Sequence, residues 1–479
     1  MTERGIISFG AYVPNLRIER SAIADAHGWA FPELKARAKG VRALANWDED
    51  AVTMSVEAAR GVSTDGVGAL IFASTTPPFA DLQNATLVAA ALGLPETVAT
   101  SDNGGSLRAG VSALLSALRS TVHTPTLIVA SDARHTKPGS AQELQYGAGA
   151  VAMTVGSGKV IAKLIGTASR SDAFIDHFRA SGESYDYYWE ERWVRDEGYG
   201  KIVPAAIKAA LADAGIDAAD VRHFCLPGTM SGIAAAMAKK SGIAAEAVVD
   251  NLHARCGDTG TAHPLMMFAS ALERAEPGDR IVVAAFGTGC DVLVFEATPE
   301  LANYKPRLSV AAAVAGGRAE AHYTKLLSFQ GELQLDWGMR AEGSEKIPLT
   351  QQYRAREQLA HFVAGECPSC GTVQFPQLAS CVNCGSFETL TPHPLVDEAA
   401  KVASYTADWL QFSPSPPLHF GLVQFDSGAR VMMEIVDVEP GQLDVGTPLR
   451  MVFRIKSKDK ERHNVRYFWK ATPATVQGA

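Results

Sequence analysis

Two closely spaced cysteine pairs are the clearest chemical signal in the chain. The four residues, arranged as CxxC, ten intervening residues and CxxC, are Cys367, Cys370, Cys381 and Cys384. Two such pairs can place four thiolates at the corners of a tetrahedron, the geometry of structural zinc, which leaves no position open for catalysis. Gly371 and Gly385 follow the pairs, where tight turns favour glycine. We therefore predict a structural Zn²⁺ site; the alternatives are an iron centre or cysteines without a metal.

The elements that carry the rest of the chemistry alternate between strands and helices up to about residue 298. The predicted strands are residues 5–12, 68–73, 126–130, 148–155, 223–226 and 280–285. The predicted helices are residues 51–61, 107–118, 203–214 and 265–275. This alternation indicates layered α/β architecture. Because both halves repeat a strand, a glycine-marked helix start and a glycine-rich turn, we predict a duplicated five-layer α/β fold.

The last 80 or so residues change character. Five short alternating segments are predicted as strands, at residues 401–406, 417–423, 430–436, 448–455 and 465–471. Turns such as Asp426-Ser427-Gly428 separate them. Five short strands in so short a stretch predict a small closed β-barrel of the OB type.

Composition excludes several classes of function. The chain has 479 residues, 47% of them apolar, with a formal net charge of −8 and no basic stripe, so nucleic acid is not an expected partner. Neither a signal-peptide h-region nor an apolar run long enough for a spanning helix is present, so we expect a cytoplasmic protein that makes no membrane contact. Seven cysteines are too few for a disulfide framework.

Residues 1–298 resemble the HMG-CoA synthase and 3-oxoacyl synthase III branch of the thiolase superfamily. The segments that carry the resemblance are GAYVPNLRIER, WDEDAVTMSVEAAR, SDNGGSLRAGVSALLSAL, ASDARHTKPGSAQE, QYGAGAVAMTVG and CGDTGTAHPLMMFASALERAEPGDRIVVAAFGTGCD. The segments CPSCGTVQFPQLASCVNCGS, PPLHFGLVQFDSG and YFWKATP resemble the zinc-ribbon and OB-fold proteins associated with acyl-CoA enzymes. The resemblance implies a thiolase-like fold, a homodimer and a coenzyme A ester as substrate.

These resemblances divide the chain into five predicted parts. Residues 1–165 and 166–300 are the two thiolase-like halves, and residues 301–360 are a connector. Residues 361–392 are the zinc ribbon, and residues 393–479 are the OB-fold barrel.

The resemblance also assigns the family's four catalytic positions. The acyl-accepting cysteine at a helix start falls on Leu107, which cannot attack a thioester. The glutamate falls on Thr75, the histidine on Cys225 and the asparagine on Asp258. Thr75 is also predicted to contact the substrate. All four positions depart from the synthase set, so the resemblance does not carry over a covalent acyl-enzyme.

Other polar residues around these positions are the candidate substitutes. Ser106, at the helix start, can attack or donate to an oxyanion, or simply cap the helix. Arg108 can bind a substrate anion or form a salt bridge, and Gly289 lies in a glycine-rich turn whose N–H groups can polarise a carbonyl. Asp258 is either a general base or an ordinary turn aspartate. His263 resembles the Gly-His-Pro turn of thiolases, with a capped core histidine as the alternative, and Cys225 is catalytic or core.

An aromatic and acidic segment at residues 185–193, YDYYWEERW, completes the set of signals. It is suited to a wall of the substrate pocket or, equally, to a contact between subunits.

From these residues we predict an acyl-CoA enzyme of the thiolase superfamily. It makes or breaks a C–C bond in a β-oxo- or β-hydroxyacyl thioester by a retro-aldol or retro-Claisen route, without the usual cysteine nucleophile. The first alternative is an HMG-CoA synthase-like acyltransferase with another nucleophile. The second is a non-catalytic scaffold subunit that binds acyl-CoA.

Overall fold

The molecule divides into two units. The computed structural model describes residues 4–343 and 346–474. The first unit takes Met1–Asn46, Asp50–Ala89 and Leu94–Glu332; the second takes Trp47–Glu49, Ala90–Gly93 and Leu333–Ala479. Residues 344 and 345 of the predicted connector, and residues 475–479 of the predicted barrel, lie outside the described residues. Within those ranges no helix has the length and apolar character needed to cross a bilayer.

The strands up to residue 332 form the framework of the first unit. They are β1 (Arg4–Tyr12), β2 (Leu16–Glu19), β3 (Val41–Leu44), β4 (Ala69–Ala73), β5 (Ala99–Asn103), β6 (Thr126–Ala133), β7 (Ala148–Ser157), β8 (Ala162–Ser171), β9 (His177–Phe178), β10 (Tyr187–Tyr188), β11 (Val221–Cys225), β12 (Arg280–Phe286), β13 (Gly289–Ala297) and β14 (Arg318–Glu320).

Helices fill the layers around these strands. They are α1 (Arg20–His27), α2 (Ala51–Ala59), α3 (Asn84–Ala91), α4 (Ala109–Arg119), α5 (Ala141–Gln145), α6 (Glu191–Trp193), α7 (Val203–Ala214), α8 (Ile233–Lys240), α9 (His253–Cys256), α10 (His263–Leu272), α11 (Val310–Ala315) and α12 (Tyr323–Phe329). A π-helical stretch, Val194–Ile202, joins α6 to α7.

A nine-stranded sheet shows the duplication that the sequence predicts. Its strand order is β11-β12-β13-β8-β1-β7-β6-β4-β5. In one half β4 runs parallel to β5 and β6, and β7 is antiparallel to β6 and β1. In the other, β11 is parallel to β12, and β13 is antiparallel to β12 and β8. The two halves meet where β1 pairs with β8, so the predicted duplication of an α/β unit is present in the sheet.

Helices α4 and α10 form part of the hydrophobic core of this unit. Nearly every residue of α10 is buried, from His263 to Leu272, as expected of a helix enclosed on all sides. Helix α4 begins two residues later than the predicted span of 107–118. The reason is local: the Ala109 N–H donates to the Ser106 carbonyl, so residues 106–108 form a turn ahead of the helix. Leu107 therefore lies in that turn rather than in the helix.

The second unit contains the ribbon and the barrel. Its helices are α13 (Leu349–Arg354) and α14 (Arg356–Ala360), and its strands are β15 (Val363–Glu366), β16 (Val373–Gln374), β17 (Thr391–Pro394), β18 (Ala400–Asp408), β19 (Leu418–Phe425), β20 (Arg430–Ile435), β21 (Pro448–Asp459) and β22 (Asn464–Pro473). Strands β16-β15-β17 form a small sheet, and β18-β19-β20-β22-β21 close into a barrel. The predicted five-stranded barrel is confirmed.

A cluster of buried and half-buried charges lies in the second unit. We call this set the barrel charge cluster: Asp48, Glu49, Glu434, Asp437, Arg454 and Lys470. Lys470 Nζ lies 2.9 Å from Asp48 Oδ2 and 2.7 Å from Glu434 Oε2. Arg454 lies 2.7 Å from both Glu49 and Asp437 carboxylate oxygens. Burial by itself would raise the pKa of Asp48, but Lys470 and Arg454 outweigh it and the pKa lies below its usual value.

Candidate functional site

The first unit contains a pocket whose lining includes two of the sequence-predicted positions, Leu107 and Asp258. The turn ahead of α4 supplies Leu107, and the turn ahead of α10 supplies Asp258. Aromatic and apolar side chains form much of the remaining wall: Tyr188, Val194, Tyr199, Met230 and Phe286. A second carboxylate, Asp176, also lines it.

Cysteine thiols are absent from the described lining of this pocket. Leu107, which the resemblance aligns with the family's nucleophile, lines the pocket with an aliphatic side chain. Cys225, Cys256 and Cys290 are buried in the hydrophobic core. Burial raises the pKa of Cys256 and of Cys290 to about 12, and raises the pKa of Cys225 further. None of these three is therefore a thiolate near neutral pH.

Asp258 is fixed in place by a buried arginine. Its Oδ1 accepts hydrogen bonds from Arg134 Nη2 at 2.7 Å and from the Gly260 N–H at 2.8 Å. Burial alone would raise the pKa of Asp258, but Arg134 and then His263 and His253 outweigh it and hold the pKa at about 2. Asp258 is thus an ionised carboxylate at neutral pH and a weak base.

Arg134 is itself enclosed by acidic and aromatic groups. It lies at the end of β6, and its guanidinium carbon is 3.5 Å from the centre of the Tyr146 ring. Its Nη1 lies 3.9 Å from Asp186 Oδ2, which accepts a hydrogen bond from the Tyr146 hydroxyl at 2.8 Å. The positive charge of Arg134 is therefore already shared between Asp186 and Asp258.

His263 has both ring nitrogens engaged. Its Nδ1 accepts from the Thr259 N–H at 3.1 Å, so its Nε2 carries the proton and donates to the Asn251 carbonyl at 2.8 Å. The side chain is fully buried, and burial lowers its pKa. In this arrangement His263 fixes the turn that carries Asp258.

His253 lies against the same turn. Its ring centre is 4.8 Å from that of His263, and its Nε2 is 3.8 Å from Asp258 Oδ2. Burial first, then the neighbouring His263, lowers the pKa of His253 to about 3. Both histidines are therefore neutral at pH 7.

The turn ahead of α4 is tied to the loop between β12 and β13. The Ser106 hydroxyl donates to the Gly287 carbonyl at 2.9 Å. Arg108 Nη1 lies 2.9 Å from Asp291 Oδ1, so its charge is paired within the protein. Gly289 has a φ of +112°, and a Cβ there would lie 2.1 Å from the Arg170 carbonyl oxygen, so only glycine fits.

Thr75 is part of a separate hydrogen-bonded group around Asp132. The Thr75 N–H and hydroxyl donate to the two oxygens of this carboxylate, at 2.7 and 3.0 Å. Ser74, Thr76 and the Thr261 N–H donate to the same carboxylate. The structure therefore brings Leu107 and Asp258 together in the pocket lining, whereas Thr75 anchors a loop and Cys225 lies in the core.

Residues that sequence reasoning missed complete the pocket. Asp176 follows β8, and its Oδ2 lies 2.6 Å from His177 Nδ1. The hairpin of β9 and β10 pairs His177 with Tyr188, and their rings stack at 5.1 Å. Burial raises the pKa of Tyr188 to about 12, so it remains protonated. The aromatic segment at 185–193 pointed to this wall, but no sequence motif marks Asp176.

The four ribbon cysteines fit a metal. Their sulfur atoms all lie within 4.8 Å of one another, with Cys367 to Cys384 at 3.7 Å and Cys370 to Cys381 at 3.6 Å. Zn–S bonds of about 2.3 Å in a tetrahedron require S···S separations of roughly 3.8 Å. Zinc bound here would have its coordination completed by protein and would serve the fold of the ribbon.

Family models match three parts of the chain. Residues 211–294 match the C-terminal domain of 3-oxoacyl-[acyl-carrier-protein] synthase III. Residues 357–389 match the rubredoxin-like zinc ribbon domain of ChsH2, and residues 395–454 match the C-terminal OB-fold domain of ChsH2. The predicted fusion of three domain types is confirmed.

Curated relatives extend the likeness over most of the chain. Hydroxymethylglutaryl-CoA synthase of Aeropyrum pernix is 30% identical over 345 residues, covering 69% of this chain and 94% of that protein. Hydroxymethylglutaryl-CoA synthase of Methanopyrus kandleri is 27% identical over 316 residues, covering 63% and 90%.

Solved structures share the fold. Pseudomonas aeruginosa 3-oxoacyl-(acyl carrier protein) synthase III, FabH, superposes with a TM-score of 0.56 at 21% identity, covering 62% of this chain and 98% of that one. MvaS in complex with 3-hydroxy-3-methylglutaryl coenzyme A superposes with a TM-score of 0.59 at 18% identity, covering 70% and 93%. The chain belongs to the hydroxymethylglutaryl-CoA synthase family of thiolase-superfamily enzymes, and carries a ChsH2-type zinc ribbon and OB-fold after the thiolase-like domain.

Proposed function

We propose that this enzyme makes or breaks a C–C bond in a β-oxo- or β-hydroxyacyl-CoA thioester without forming an acyl-cysteine. The observation that carries the proposal is the aliphatic side chain of Leu107 in the pocket lining. The resemblance assigns the family's nucleophile to this residue. Family membership supports a thioester substrate, and MvaS is solved with a coenzyme A ester in place. The three cysteines of the first unit, Cys225, Cys256 and Cys290, are buried. None of them lines the pocket, so none is placed to accept an acyl group.

Without an acyl-enzyme, the route goes through the enolate of the thioester. A β-hydroxyacyl thioester loses its hydroxyl proton and breaks the Cα–Cβ bond to give a carbonyl compound and a shorter thioester. A β-oxoacyl thioester takes water at its β-carbonyl and breaks the same bond to give an acid and a shorter thioester. In both routes the thioester oxygen gains negative charge, which hydrogen-bond donors stabilise.

Residues of the two turns supply the supporting roles. Backbone N–H groups near Ser106 and Gly289 polarise the thioester carbonyl. The pocket carboxylates Asp176 and Asp258 are the groups that can accept a proton, whereas His263 holds the turn because both of its nitrogens are bonded. Arg108, paired with Asp291, supports the turn and does not carry a free charge for substrate.

The test is turnover combined with intact-protein mass spectrometry. The enzyme is incubated with matched β-oxoacyl- and β-hydroxyacyl-CoA esters, and the shorter thioester is measured by mass spectrometry. We expect product with no acyl adduct on acid-quenched protein, and the same from Leu107→Ala. An adduct that forms and decays during turnover would instead establish an acyltransferase with another nucleophile. Tight CoA-ester binding with no product from any ester would leave only the scaffold role.

A further inference from the structure

Asp176 has an oxygen that the protein leaves without a donor. The residue is only 7% exposed and lines the pocket. One carboxylate oxygen, Oδ2, is bonded to His177 Nδ1 at 2.6 Å. The other, Oδ1, is buried and has no hydrogen-bond partner in the described part of the chain.

A buried carboxylate oxygen in this condition is energetically costly. It has lost hydration, and no N–H or O–H replaces the water. The described lining of the pocket contains no lysine or arginine, and the histidine that contacts this carboxylate, His177, bonds the other oxygen. A hydrogen-bond donor brought by a ligand would therefore be favourable at this oxygen.

The second pocket carboxylate, Asp258, has its hydrogen-bond donors supplied by the protein. Asp258 Oδ1 is occupied by Arg134 and by the Gly260 N–H, and its pKa of about 2 makes it a weak base. Proton transfer to Asp258 would have to overcome the ion pair with Arg134. Asp176 accepts a hydrogen bond only at Oδ2. At Oδ1 no cation or N–H of the described residues would compete with an incoming proton.

We propose that Asp176 is the catalytic base and that the substrate is a 3-hydroxyacyl thioester whose β-hydroxyl donates to Asp176 Oδ1. This rests on the proposed function and narrows it to the hydroxy substrate. A 3-oxoacyl group has only an acceptor at the same position, which would face the carboxylate oxygen. The two carboxylates of the lining likewise disfavour an acyl group that bears its own carboxylate.

The chemical step balances within the pocket. Asp176 takes the proton of the β-hydroxyl, the O–H electron pair forms the new carbonyl, and the Cα–Cβ bond breaks. The electron pair of that bond passes to Cα, which becomes the enolate of the shorter thioester. Asp176 then returns the proton to Cα, so the products are one aldehyde or ketone and one thioester.

His177 is a positioning residue in this scheme. Its Nδ1 holds Asp176 Oδ2, and its pairing with Tyr188 across the β9–β10 hairpin fixes the ring. The bond leaves Oδ1 as the carboxylate oxygen without a donor among the described residues. His177→Phe should lower kcat with KM unchanged, and His177→Asn, which can replace the Nδ1 donor, should restore most of it. Equal changes in kcat and KM for both variants would reduce His177 to a structural role.

The deciding experiment compares three esters with one variant and one control. Full-length wild type, Asp176→Asn and Phe178→Leu receive a 3-hydroxyacyl-CoA, the matched 3-oxoacyl-CoA and the saturated acyl-CoA, with a hydrazine to trap released carbonyl compound. Phe178 is exposed on the same hairpin, outside the pocket lining, and tests general disturbance of the hairpin. We expect wild type and Phe178→Leu to cleave only the 3-hydroxy ester, and Asp176→Asn to be slower by roughly 1,000-fold. Its affinity for the saturated ester should be unchanged.

Each other outcome counts against a defined part of the argument. Retained cleavage by Asp176→Asn, or loss of its affinity for the saturated ester, would overturn the role of Asp176 while the proposed function stands. Wild-type cleavage of the 3-oxo ester alone would overturn the substrate class while the proposed function stands. No cleavage of either ester by wild type would remove the proposed function and this inference together.

Discussion

Two groups of buried charge in this protein are arranged in opposite ways. In the barrel charge cluster, Asp48 is paired with Lys470 and Arg454, and the other acids of the cluster contact the same two cations. Beside the pocket, Arg134 is likewise enclosed by Asp258 and Asp186, but the pocket residue Asp176 retains an oxygen without a donor among the described residues.

The difference separates a structural use of charge from a chemical one. A buried ion pair whose members satisfy each other adds little net stability over an apolar core, but removal of one member is costly. A buried group that is only half satisfied destabilises the empty protein and stabilises a complex that supplies the missing donor. The barrel cluster should therefore respond to mutation through stability, and the pocket through turnover.

The largest expected effect on stability is in the zinc ribbon. No lysine or arginine is needed to balance its four cysteine thiolates because the bound Zn²⁺ does so. Cys381→Ser should lose bound zinc and unfold the ribbon, since a structural zinc contributes on the order of 10 kcal/mol to such a domain. Zinc content by plasma mass spectrometry and protease sensitivity near residues 361–392 measure this. Ser369→Ala, an exposed ribbon change, is the control and should keep its zinc. Full ribbon order without zinc would contradict the assignment.

Asp48→Asn tests the closed cluster. Removing the acid leaves Lys470 and Arg454 buried with less negative charge, so the free energy of unfolding should fall by about 3–5 kcal/mol. Urea denaturation followed by tryptophan fluorescence measures the change. The exposed pair of Asp25 and Lys35 offers the matched control, and Asp25→Asn should change stability by less than about 0.5 kcal/mol. If both substitutions lowered the free energy of unfolding by similar amounts, burial would not explain the effect of Asp48→Asn.

Asp258→Asn tests the pocket. Asparagine keeps an acceptor for Gly260 but removes the nearer of the two negative charges around Arg134, so excess positive charge would lie beside the pocket. We expect turnover to fall about 100-fold, or about 2.7 kcal/mol, with a smaller change in the free energy of unfolding. Glu296→Gln, which removes one partner of the Lys163 ion pair, should keep normal turnover. If Asp258→Asn lowered the free energy of unfolding without slowing turnover, the charge of Asp258 would serve the fold, as the barrel charge cluster does, and not the reaction.

The smallest expected effect is a pH dependence. The unfolded chain protonates His253 near its ordinary pKa of 6.5, whereas the folded protein does so only near 3. Between these values the unfolded state binds more protons, so stability falls as the pH is lowered. From pH 7.5 to 5.5 this one histidine should account for about 1.4 kcal/mol. His253→Gln should reduce the slope by that amount in urea titrations; an unchanged slope would show that His253 is not held neutral.

The sequence was most informative where spacing is local. The two CxxC pairs, the five short strands of the barrel and the repeated strand–helix pattern all follow from neighbouring residues, and the fold agrees with them. The resemblance assigned Leu107 and Asp258 to catalytic positions of the family, and both residues line the pocket. The homodimer and the finer reaction type stay predictions.

Contacts between residues far apart in the sequence could not be predicted from these local patterns. Arg108 was a candidate for binding a substrate anion, but its partner is Asp291, 183 residues away. Arg134 is 124 residues from Asp258, and no motif marks it. Asp176 lies in an irregular loop where neither helical nor strand periodicity applies, and its pocket position depends on the β9–β10 hairpin. Such pairings become visible only when the chain is folded.

Leu107 has a kinetic consequence. An enzyme with a reactive thiol at this position can store half of its substrate as a covalent intermediate, release the first product and wait for the second reactant. A leucine removes that waiting state, so under the proposed function all reactants must occupy the pocket together. Iodoacetamide applied to the zinc-loaded enzyme, in which the ribbon thiolates are occupied, should then leave turnover unaffected.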